Sequence, residues 1–173
     1  LTGCADTSNV NVRVSPVPVA SFTVPAQGCT NAPADIQNTS TGANSYLWTW
    51  DDGNDDVGFE PTYTYSQEGL FTIELIASNA FGCSDTTSHL NEIINPPTAG
   101  ITLLPSEGCA PLSVDFENNS IGQYLSYEWD LDGDTSTDQV PPTQVYQQGD
   151  DVVTYDIVLT VTNYCGSEVV SDV

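Results

Sequence analysis

The sequence predicts an all-β fold in which β-sandwich domains follow one another along the chain. Three observations predict it. One pattern of residues occurs twice, about 80 residues apart. No segment has helical periodicity, whereas several short segments alternate apolar and polar residues, as strands with one buried face do. Clusters of Gly, Asn, Asp and Pro separate these segments at intervals of about ten residues, which is typical of a sandwich.

The repeat defines the domain organisation. Each copy has an early cysteine, an aspartate-rich turn after a tryptophan, an alternating strand and a late cysteine. These elements begin at Cys29, Trp48, Phe71 and Cys83 in the first copy and at Cys109, Trp129, Tyr155 and Cys165 in the second. Because Gly3-Cys4 matches Gly82-Cys83, we expect residues 1–16 to be the last strand of a preceding repeat. The expected domains are 17–95 and 96–173, which makes the chain a piece of a longer array.

The alternating strands provide the expected cores. Phe71, Ile73, Leu75 and Ala77 share one face of a strand, and the second copy repeats this pattern from Tyr155. Trp48 and Trp129 each occur in the middle of a domain, where a sandwich needs a large ring between its sheets. We therefore expect both tryptophans in the core, and Trp50 beside Trp48 as well; the alternative is an exposed aromatic ring that stacks on a sugar. Pro-rich joints, at residues 15–18 and 95–98, separate the domains.

The cysteines predict disulfides. An early and a late cysteine in each repeat indicate the pairs Cys29–Cys83 and Cys109–Cys165, and Cys4 would pair with a residue outside this chain. A domain of about 80 residues has a small core, so a covalent crosslink helps it. A zinc site is excluded because there is no Cys-x-x-Cys and only one histidine. Disulfides indicate an oxidising, extracytoplasmic location.

The charge is strongly negative. The chain has 24 acidic residues and a single basic one, for a net charge of −23. Such a surface repels nucleic acid and anionic membranes, so neither is an expected partner, and nothing in the segment predicts membrane insertion. Repulsion keeps repeats apart unless salt or divalent cations screen it. A saline or calcium-rich environment would suit this composition.

At these residues the chain resembles the polycystic-kidney-disease (PKD) repeat, especially the repeats in secreted surface proteins and adhesins of Bacteroidetes-type bacteria. The matching motifs of the first copy are Gly28-Cys29, Asn38-Thr39-Ser40, the turn Trp48–Gly53, Pro61 to Tyr65, Gly69–Leu75 and Gly82-Cys83. The second copy has the same motifs from Gly108-Cys109 to Cys165. The turn residues depart from the family pattern in both copies. The resemblance implies an immunoglobulin-like sandwich without catalytic activity of its own.

The resemblance also implies a function. We expect a structural and adhesive segment in the stalk or filament shaft of a long extracellular bacterial surface protein. Its expected partners are neighbouring repeats of the same chain, identical chains in a filament, and a cell-surface or polysaccharide ligand. The alternative is an accessory module of a secreted multi-domain hydrolase that binds a protein fibre or a polysaccharide.

Two aspartate clusters are candidate calcium sites. One is Asp130, Asp132, Asp134 and Asp138, which have the spacing of the first ligands of a calcium loop but lack its glycine and its glutamate. The weaker one is Asp51, Asp52, Asp55 and Asp56. The alternative is a solvated acidic turn in which an aspartate accepts hydrogen bonds from nearby backbone N–H groups. Calcium is the only cofactor that the sequence suggests.

Catalytic chemistry is not expected within these residues. His89 is the only histidine and is far in sequence from any serine flanked by glycine, which excludes a hydrolytic triad here. Asn38-Thr39-Ser40 and Asn118-Asn119-Ser120 have the form of N-glycosylation acceptors. They coincide with a family motif that makes a structural turn, and we interpret them as that turn.

Overall fold

The computed structural model describes residue 3, residues 8–147 and residues 151–172. The described part of the chain contains strands and no helices. It forms two compact units. The first unit takes in the described residues up to Thr23, Ile36–Pro61 and Thr72–His89. The second takes in Val24–Asp35, Thr62–Phe71 and the described residues from Leu90 onward.

Strand pairing stays within each copy of the repeat. The first copy contains seven strands, which are β1 (Phe22–Thr23), β2 (Gln27–Cys29), β3 (Gln37–Asn38), β4 (Ser45–Thr49), β5 (Asp55–Val57), β6 (Gly69–Ser78) and β7 (Ser84–Ile94). They form a two-stranded sheet, β1-β3, and a five-stranded sheet in the order β2-β7-β6-β4-β5. β2 is parallel to β7, with Cys29 opposite Ile94, whereas β4 pairs with β5 and with β6 in antiparallel fashion.

The second copy is a sandwich of two antiparallel sheets. Its strands are β8 (Ile101–Leu104), β9 (Leu112–Asn118), β10 (Ser126–Leu131), β11 (Thr135–Ser136), β12 (Gln144–Tyr146), β13 (Ile157–Asn163) and β14 (Gly166–Asp172). One sheet has the order β12-β9-β8 and the other β11-β10-β13-β14. This arrangement places the turn between β13 and β14, which carries Cys165, at one end of β13.

The predicted alternation produces the cores. Along β6, Ile73, Leu75 and Ala77 are fully buried while the residues between them are partly exposed. Along β13, Ile157, Leu159 and Val161 are buried in the same way. The core of the second copy consists of Leu103, Val114, Phe116, Trp129, Leu131, Ile157, Leu159 and Val161. Each sheet thus contributes one apolar face, as a sandwich requires.

Residues 8–16, in the described part of the chain, are not assigned to a strand. Val10, Val12 and Val14 are between 81% and 90% exposed. A strand requires a neighbouring strand to pair with. If residues 1–16 end a preceding repeat, as predicted, the strand that pairs with them belongs to that repeat, outside this chain. This part of the domain prediction therefore stays a prediction.

Candidate functional site

The two copies build the same turn from the same polar side chains. Asn38 donates from Nδ2 to the carbonyl of Phe59 at 2.7 Å, and its Oδ1 accepts from the backbone N–H of Ser40 at 2.9 Å. Asn118 does the same with the carbonyl of Gln139 at 2.7 Å and the N–H of Ser120 at 3.0 Å. Both asparagine amides are occupied by backbone groups, which supports the interpretation of these motifs as structural turns.

The tryptophans occupy equivalent places as well. Trp48 and Trp129 are fully buried, and each indole N–H donates to a backbone carbonyl about ten residues further along, those of Gly58 (3.1 Å) and Asp138 (3.0 Å). Trp50 is also fully buried and stacks on Trp48, with ring centroids 6.0 Å apart. All three rings therefore face a core, and none is exposed for stacking on a sugar.

The first aspartates of the candidate calcium sequence lie in a tight hairpin between β10 and β11. Asp130 pairs with Thr135, and its Oδ1 accepts from the N–H of Gly133 at 3.0 Å. Asp132 has a φ of 65°, in the left-handed region that asparagine and aspartate tolerate better than most residues. Asp138 lies beyond the hairpin and accepts from the hydroxyl of Ser136. Two of these carboxylates thus bond to groups of the hairpin itself.

The first-copy cluster has a similar organisation. Asp51, with a φ of 62°, accepts from the N–H of Thr72 at 3.0 Å. Asp52 accepts from the N–H of Asn54 at 3.1 Å. Asp55 and Asp56 follow on β5. Among the residues that the structure describes, no three His, Cys, Asp or Glu side chains converge in a way that could hold a metal ion. The calcium sites stay a prediction from the sequence.

A disulfide joins one copy of the repeat to the next. Cys29, at the end of β2, is bonded to Cys165, in the turn between β13 and β14, with an S–S distance of 2.07 Å. The two residues are separated by 136 positions and their Cα atoms lie 5.5 Å apart. Both belong to the second compact unit. Cys83 and Cys109 are the free cysteines of the described residues, and the predicted bond of Cys4 lies outside those residues.

The predicted pairs Cys29–Cys83 and Cys109–Cys165 are therefore wrong. Cys83 directly precedes β7, whereas Cys29 lies opposite Ile94, the last residue of that strand. An 11-residue strand is roughly 35 Å long, which is far more than the ~7 Å that a disulfide can bridge between Cα atoms. In the second copy, Cys165 lies two residues after the last residue of β13, while Gly108 and Ala110 beside Cys109 line a cavity with Ile157, the first residue of that strand. The early and late cysteines of one copy lie at opposite ends of its strands.

Polar contacts accompany this disulfide in the second unit. Tyr124 donates its hydroxyl to Glu92 at 2.8 Å, and Gln27 donates its amide to the same carboxylate at 2.9 Å. The hydrogen bond from Gln27, with that from Tyr124, holds the pKa of Glu92 below its ordinary value. The bond to Glu92 in turn raises the pKa of Tyr124. No sequence motif marks this cluster, whose members lie up to 97 positions apart, so it could not be predicted from the residues alone.

In each copy, the turn that carries the late cysteine is here called the late turn; it lies between β6 and β7 in the first copy and between β13 and β14 in the second. An asparagine of this turn makes a hydrogen bond to the Pro-rich joint before that copy. Asn79 donates from Nδ2 to the carbonyl of Pro16 at 2.9 Å, and Asn163 donates to the carbonyl of Asn95 at 2.9 Å. Each also accepts the N–H of the late cysteine that follows it, Cys83 at 3.1 Å and Cys165 at 2.8 Å. The signal was available in the sequence, because both asparagines recur at the end of the repeated strand.

Two cavities lie beside the early cysteines. The one at Cys29 has a volume of about 110 Å³, and the one at Cys109 about 370 Å³. Equivalent residues line both, namely Pro25 and Pro105, Gly28 and Gly108, Tyr65 and Tyr146. The cavity at Cys29 is also lined by Tyr164, from the turn that carries Cys165.

No helix that could cross a membrane is found in the described residues. His89 lies on β7, exposed, with its ring edge-on to Phe22 at 4.6 Å between ring centroids.

The chain is similar to several solved structures. The PKD1 domain of the Vibrio cholerae metalloprotease PrtV is 29% identical and matches with a TM-score of 0.40, over 45% of this chain and 98% of that domain. The I67–I69 fragment from the I-band of titin is 16% identical with a TM-score of 0.58, over 91% of this chain and 65% of that fragment. A carbohydrate-binding module of the β-sandwich superfamily is 15% identical with a TM-score of 0.45, over 84% of this chain and 54% of that protein.

The likeness to titin shows the fold, which is a series of immunoglobulin-like β-sandwiches, as the sequence predicts. A PKD domain and a disulfide together indicate an extracellular domain, and domains of this class are in general non-catalytic modules with structural or adhesive roles. The model of the PKD domain family matches residues 13–94. That part of the chain, which includes nearly all of the first copy of the repeat, matches the PKD domain family.

Proposed function

We propose that this chain is a non-catalytic, structural and adhesive segment in the stalk or filament shaft of a long extracellular bacterial surface protein. The observation that carries the proposal is the Cys29–Cys165 disulfide, which ties one copy of the repeat covalently to the next. A binding module that works alone has no need of a covalent bond to its neighbour, whereas a load-bearing series of modules does.

The way each joint is held also supports a load-bearing role. The Asn79–Pro16 and Asn163–Asn95 hydrogen bonds hold the chain on the N-terminal side of each copy against a turn of that copy. Proline restricts φ at both joints. Backbone that is restricted and hydrogen-bonded in this way has less freedom to extend or fold back than a flexible linker has.

The surface charge supports an extracellular location among like-charged neighbours. A net charge of −23 keeps the segment soluble and discourages collapse of one repeat onto another. Screening by salt or by divalent cations would weaken this repulsion and permit identical chains to associate in a filament. A cell-surface or polysaccharide ligand would then bind to other parts of the parent protein, or to surfaces of this segment that do not include the buried tryptophans.

The native polypeptide tests the proposal. An antibody against this chain is used to recover the protein from the cell-surface fraction, and its size and peptide composition are determined by gel electrophoresis and mass spectrometry. We expect a surface-bound polypeptide that consists mostly of repeats of this kind. A released polypeptide in which a few repeats accompany a hydrolase domain would overturn the stalk proposal and establish the accessory module in its place.

Calcium binding at the aspartate turns is a separate part of the proposal. Calcium at Asp130, Asp132, Asp134 and Asp138 would crosslink the β10–β11 hairpin to the following loop and stiffen that end of the second copy. If so, EDTA lowers the melting temperature of the chain and added calcium restores it, while added magnesium does not. An unchanged melting curve in EDTA would end the calcium prediction.

A further inference from the structure

The Cys29–Cys165 bond implies a rule for the remaining cysteines. It joins the early cysteine of one copy to the late cysteine of the next copy. Cys83 is the late cysteine of the first copy and Cys109 is the early cysteine of the second, and both are free thiols. We propose that Cys83 is bonded to the early cysteine of the repeat before this segment, and Cys109 to the late cysteine of the repeat after it. The parent chain would then carry one disulfide across every joint.

The two late turns occupy the same place relative to their joints. Asn163 holds the carbonyl of Asn95 and the N–H of Cys165, and Asn79 holds the carbonyl of Pro16 and the N–H of Cys83. Pro16 and Asn95 are themselves equivalent, 79 positions apart as Gly3 and Gly82 are. Cys83 is thus held at the first joint by the contacts that hold Cys165 at the second. At the second joint, Cys165 is bonded to Cys29, the early cysteine of the copy before it. By the same geometry, Cys83 at the first joint should lie beside the early cysteine of the repeat before it.

The cavity beside Cys109 has the same relation to the early cysteine as the cavity beside Cys29. The cavity beside Cys29 is also lined by Asn91 and Ile93 of β7 and by Tyr164 of the next copy. In the second copy, no residue beyond Ile157 in the described part of the chain lines the larger cavity. The proposal assigns this space to the late turn of a following repeat.

An exposed aromatic residue completes the equivalence. Tyr164 precedes Cys165 and lies at the cavity beside Cys29. The turn before Cys83 carries Phe81, whose side chain is 73% exposed. An exposed phenylalanine is unfavourable in water and indicates a contact surface when other evidence places a partner there. We therefore expect Phe81 to lie against the cavity beside the early cysteine of the preceding repeat.

Each bond of the proposed series forms by ordinary thiol chemistry. The two thiols together lose two protons and two electrons to an oxidised dithiol carrier of the extracytoplasmic compartment, whose own disulfide is reduced to two thiols. A mixed disulfide between the carrier and one cysteine is the intermediate, and the thiolate of the second cysteine displaces the carrier. Cys109 is exposed and Cys83 is partly exposed, so both are accessible to such a carrier.

The proposed series changes how the parent chain would carry a load. A bond from the early cysteine of one repeat to the late cysteine of the next closes most of both repeats into a covalent loop, as Cys29–Cys165 closes residues 30–164. Tension along the backbone would pass through the disulfides and through the segments between a late cysteine and the next early cysteine, such as the one that contains β7 and β8. The strands between the early and the late cysteine of one repeat would be shielded from that tension until the disulfides are reduced.

Disulfide mapping of the native parent polypeptide tests the inference, which rests on the proposed array of repeats. Free thiols are first alkylated, and the protein is then digested with pepsin at low pH, where thiolates are scarce and disulfides do not exchange. Trypsin is unsuitable because Arg13 is the only basic residue that it could cleave after in this segment. From the four cysteines that the structure describes we expect three crosslinked peptides: Cys29 with Cys165, Cys83 with the early cysteine of the preceding repeat, and Cys109 with the late cysteine of the following repeat.

The outcomes separate the two proposals. Pairs within one repeat, a Cys83–Cys109 pair, or alkylated Cys83 and Cys109 in a parent that does have flanking repeats would overturn the disulfide series and leave the stalk proposal standing. A parent without flanking repeats would overturn both, and a parent whose flanking repeats lack these cysteines would overturn the disulfide series alone. The mapping reads the bonds directly, so each result supports or contradicts the inference.

A substitution in the parent protein provides an independent test. In Cys83→Ser, the early cysteine of the preceding repeat loses its partner and becomes reactive toward a thiol-directed label, while Cys29 and Cys165 remain unlabelled. Cys29→Ser is the matched control, because it should expose Cys165 instead. Labelling of the same peptide in both variants would contradict the proposed connectivity. The label detects the unpaired thiol directly, so the test does not depend on any change of fold in either variant.

Discussion

At the scale of single residues, the tryptophans of the repeat contribute most to each core. Trp129 is fully buried, packs edge-on against Phe116 with ring centroids 5.9 Å apart, and has its N–H satisfied. We expect Trp129→Ala to lower the free energy of unfolding by about 3–5 kcal/mol, because it removes the ring and leaves a cavity. Urea denaturation measures this loss.

Phe81→Ala is the matched control for the tryptophan variant. Its ring is mostly exposed, so in this chain alone the substitution should change the free energy of unfolding by less than about 0.5 kcal/mol. A Trp129→Ala variant as stable as Phe81→Ala would contradict the assignment of Trp129 to the core.

Glu92 is a second residue whose behaviour follows from its contacts. Hydrogen bonds from Gln27 and Tyr124 favour the carboxylate, so its folded pKa lies below the unfolded value. The stability from these bonds is fully present above the unfolded pKa and is lost as the pH falls through the folded pKa. Carbon-detected NMR titration should show the Glu92 midpoint lower in the folded chain than in the same chain in urea.

Variants of the two donors check that titration. Gln27→Ala and Tyr124→Phe should each raise the Glu92 midpoint, and Gln27→Ala should raise it more because its bond has the larger effect. Equal midpoints in wild type and both variants would show that these hydrogen bonds do not form in solution.

At the scale of elements, the late turn is the feature that connects a strand pair to a joint. Asn163 is 9% exposed and makes hydrogen bonds to both. We expect Asn163→Ala to cost about 1–3 kcal/mol, since it leaves the carbonyl of Asn95 and the N–H of Cys165 without these partners. Thermal melting measures this loss, and hydrogen exchange should show faster exchange at the Cys165 amide.

Two further variants separate the roles of this side chain. Asn163→Asp keeps an oxygen that can accept the Cys165 N–H but cannot donate to Asn95, so Cys165 should stay protected while the melting temperature falls. Asn79→Ala should speed exchange at Cys83 and not at Cys165. Faster exchange at Cys165 in all three variants would indicate general loosening and would contradict the assigned bonds.

At the scale of the whole molecule, the disulfide across the repeats dominates. It closes a loop of 136 positions, which is worth about 5 kcal/mol in the chain-entropy model. We therefore expect Cys165→Ser to lower the free energy of unfolding of the second unit substantially, as chemical denaturation would measure. Cys83→Ser is the control, and in this isolated chain it should have no comparable effect because Cys83 is a free thiol. Equal losses in the two variants would contradict the observed pairing.

The fold could be predicted from the sequence, whereas the pairing of the cysteines could not. The alternation along β6 and β13 and the repeated tryptophans are local patterns, and each is a direct consequence of a strand that has one face buried. The sandwich and its cores could therefore be predicted. The cysteine pairing could not, because equal spacing of early and late cysteines is compatible with bonds inside each repeat and with bonds between successive repeats.

The sequence by itself determined that this chain is an acidic, cysteine-containing series of β-sandwiches, because composition and short-range periodicity are properties of the residues alone; its resemblance to the PKD repeat added that the sandwiches are immunoglobulin-like. Only the tertiary structure decided which cysteines meet. Cys29 and Cys83 are separated by the length of β7, whereas Cys29 and Cys165 have Cα atoms 5.5 Å apart although they are 136 positions apart in the chain. A disulfide forms between residues that are close in space, and the strand directions that set this closeness arise from long-range pairing.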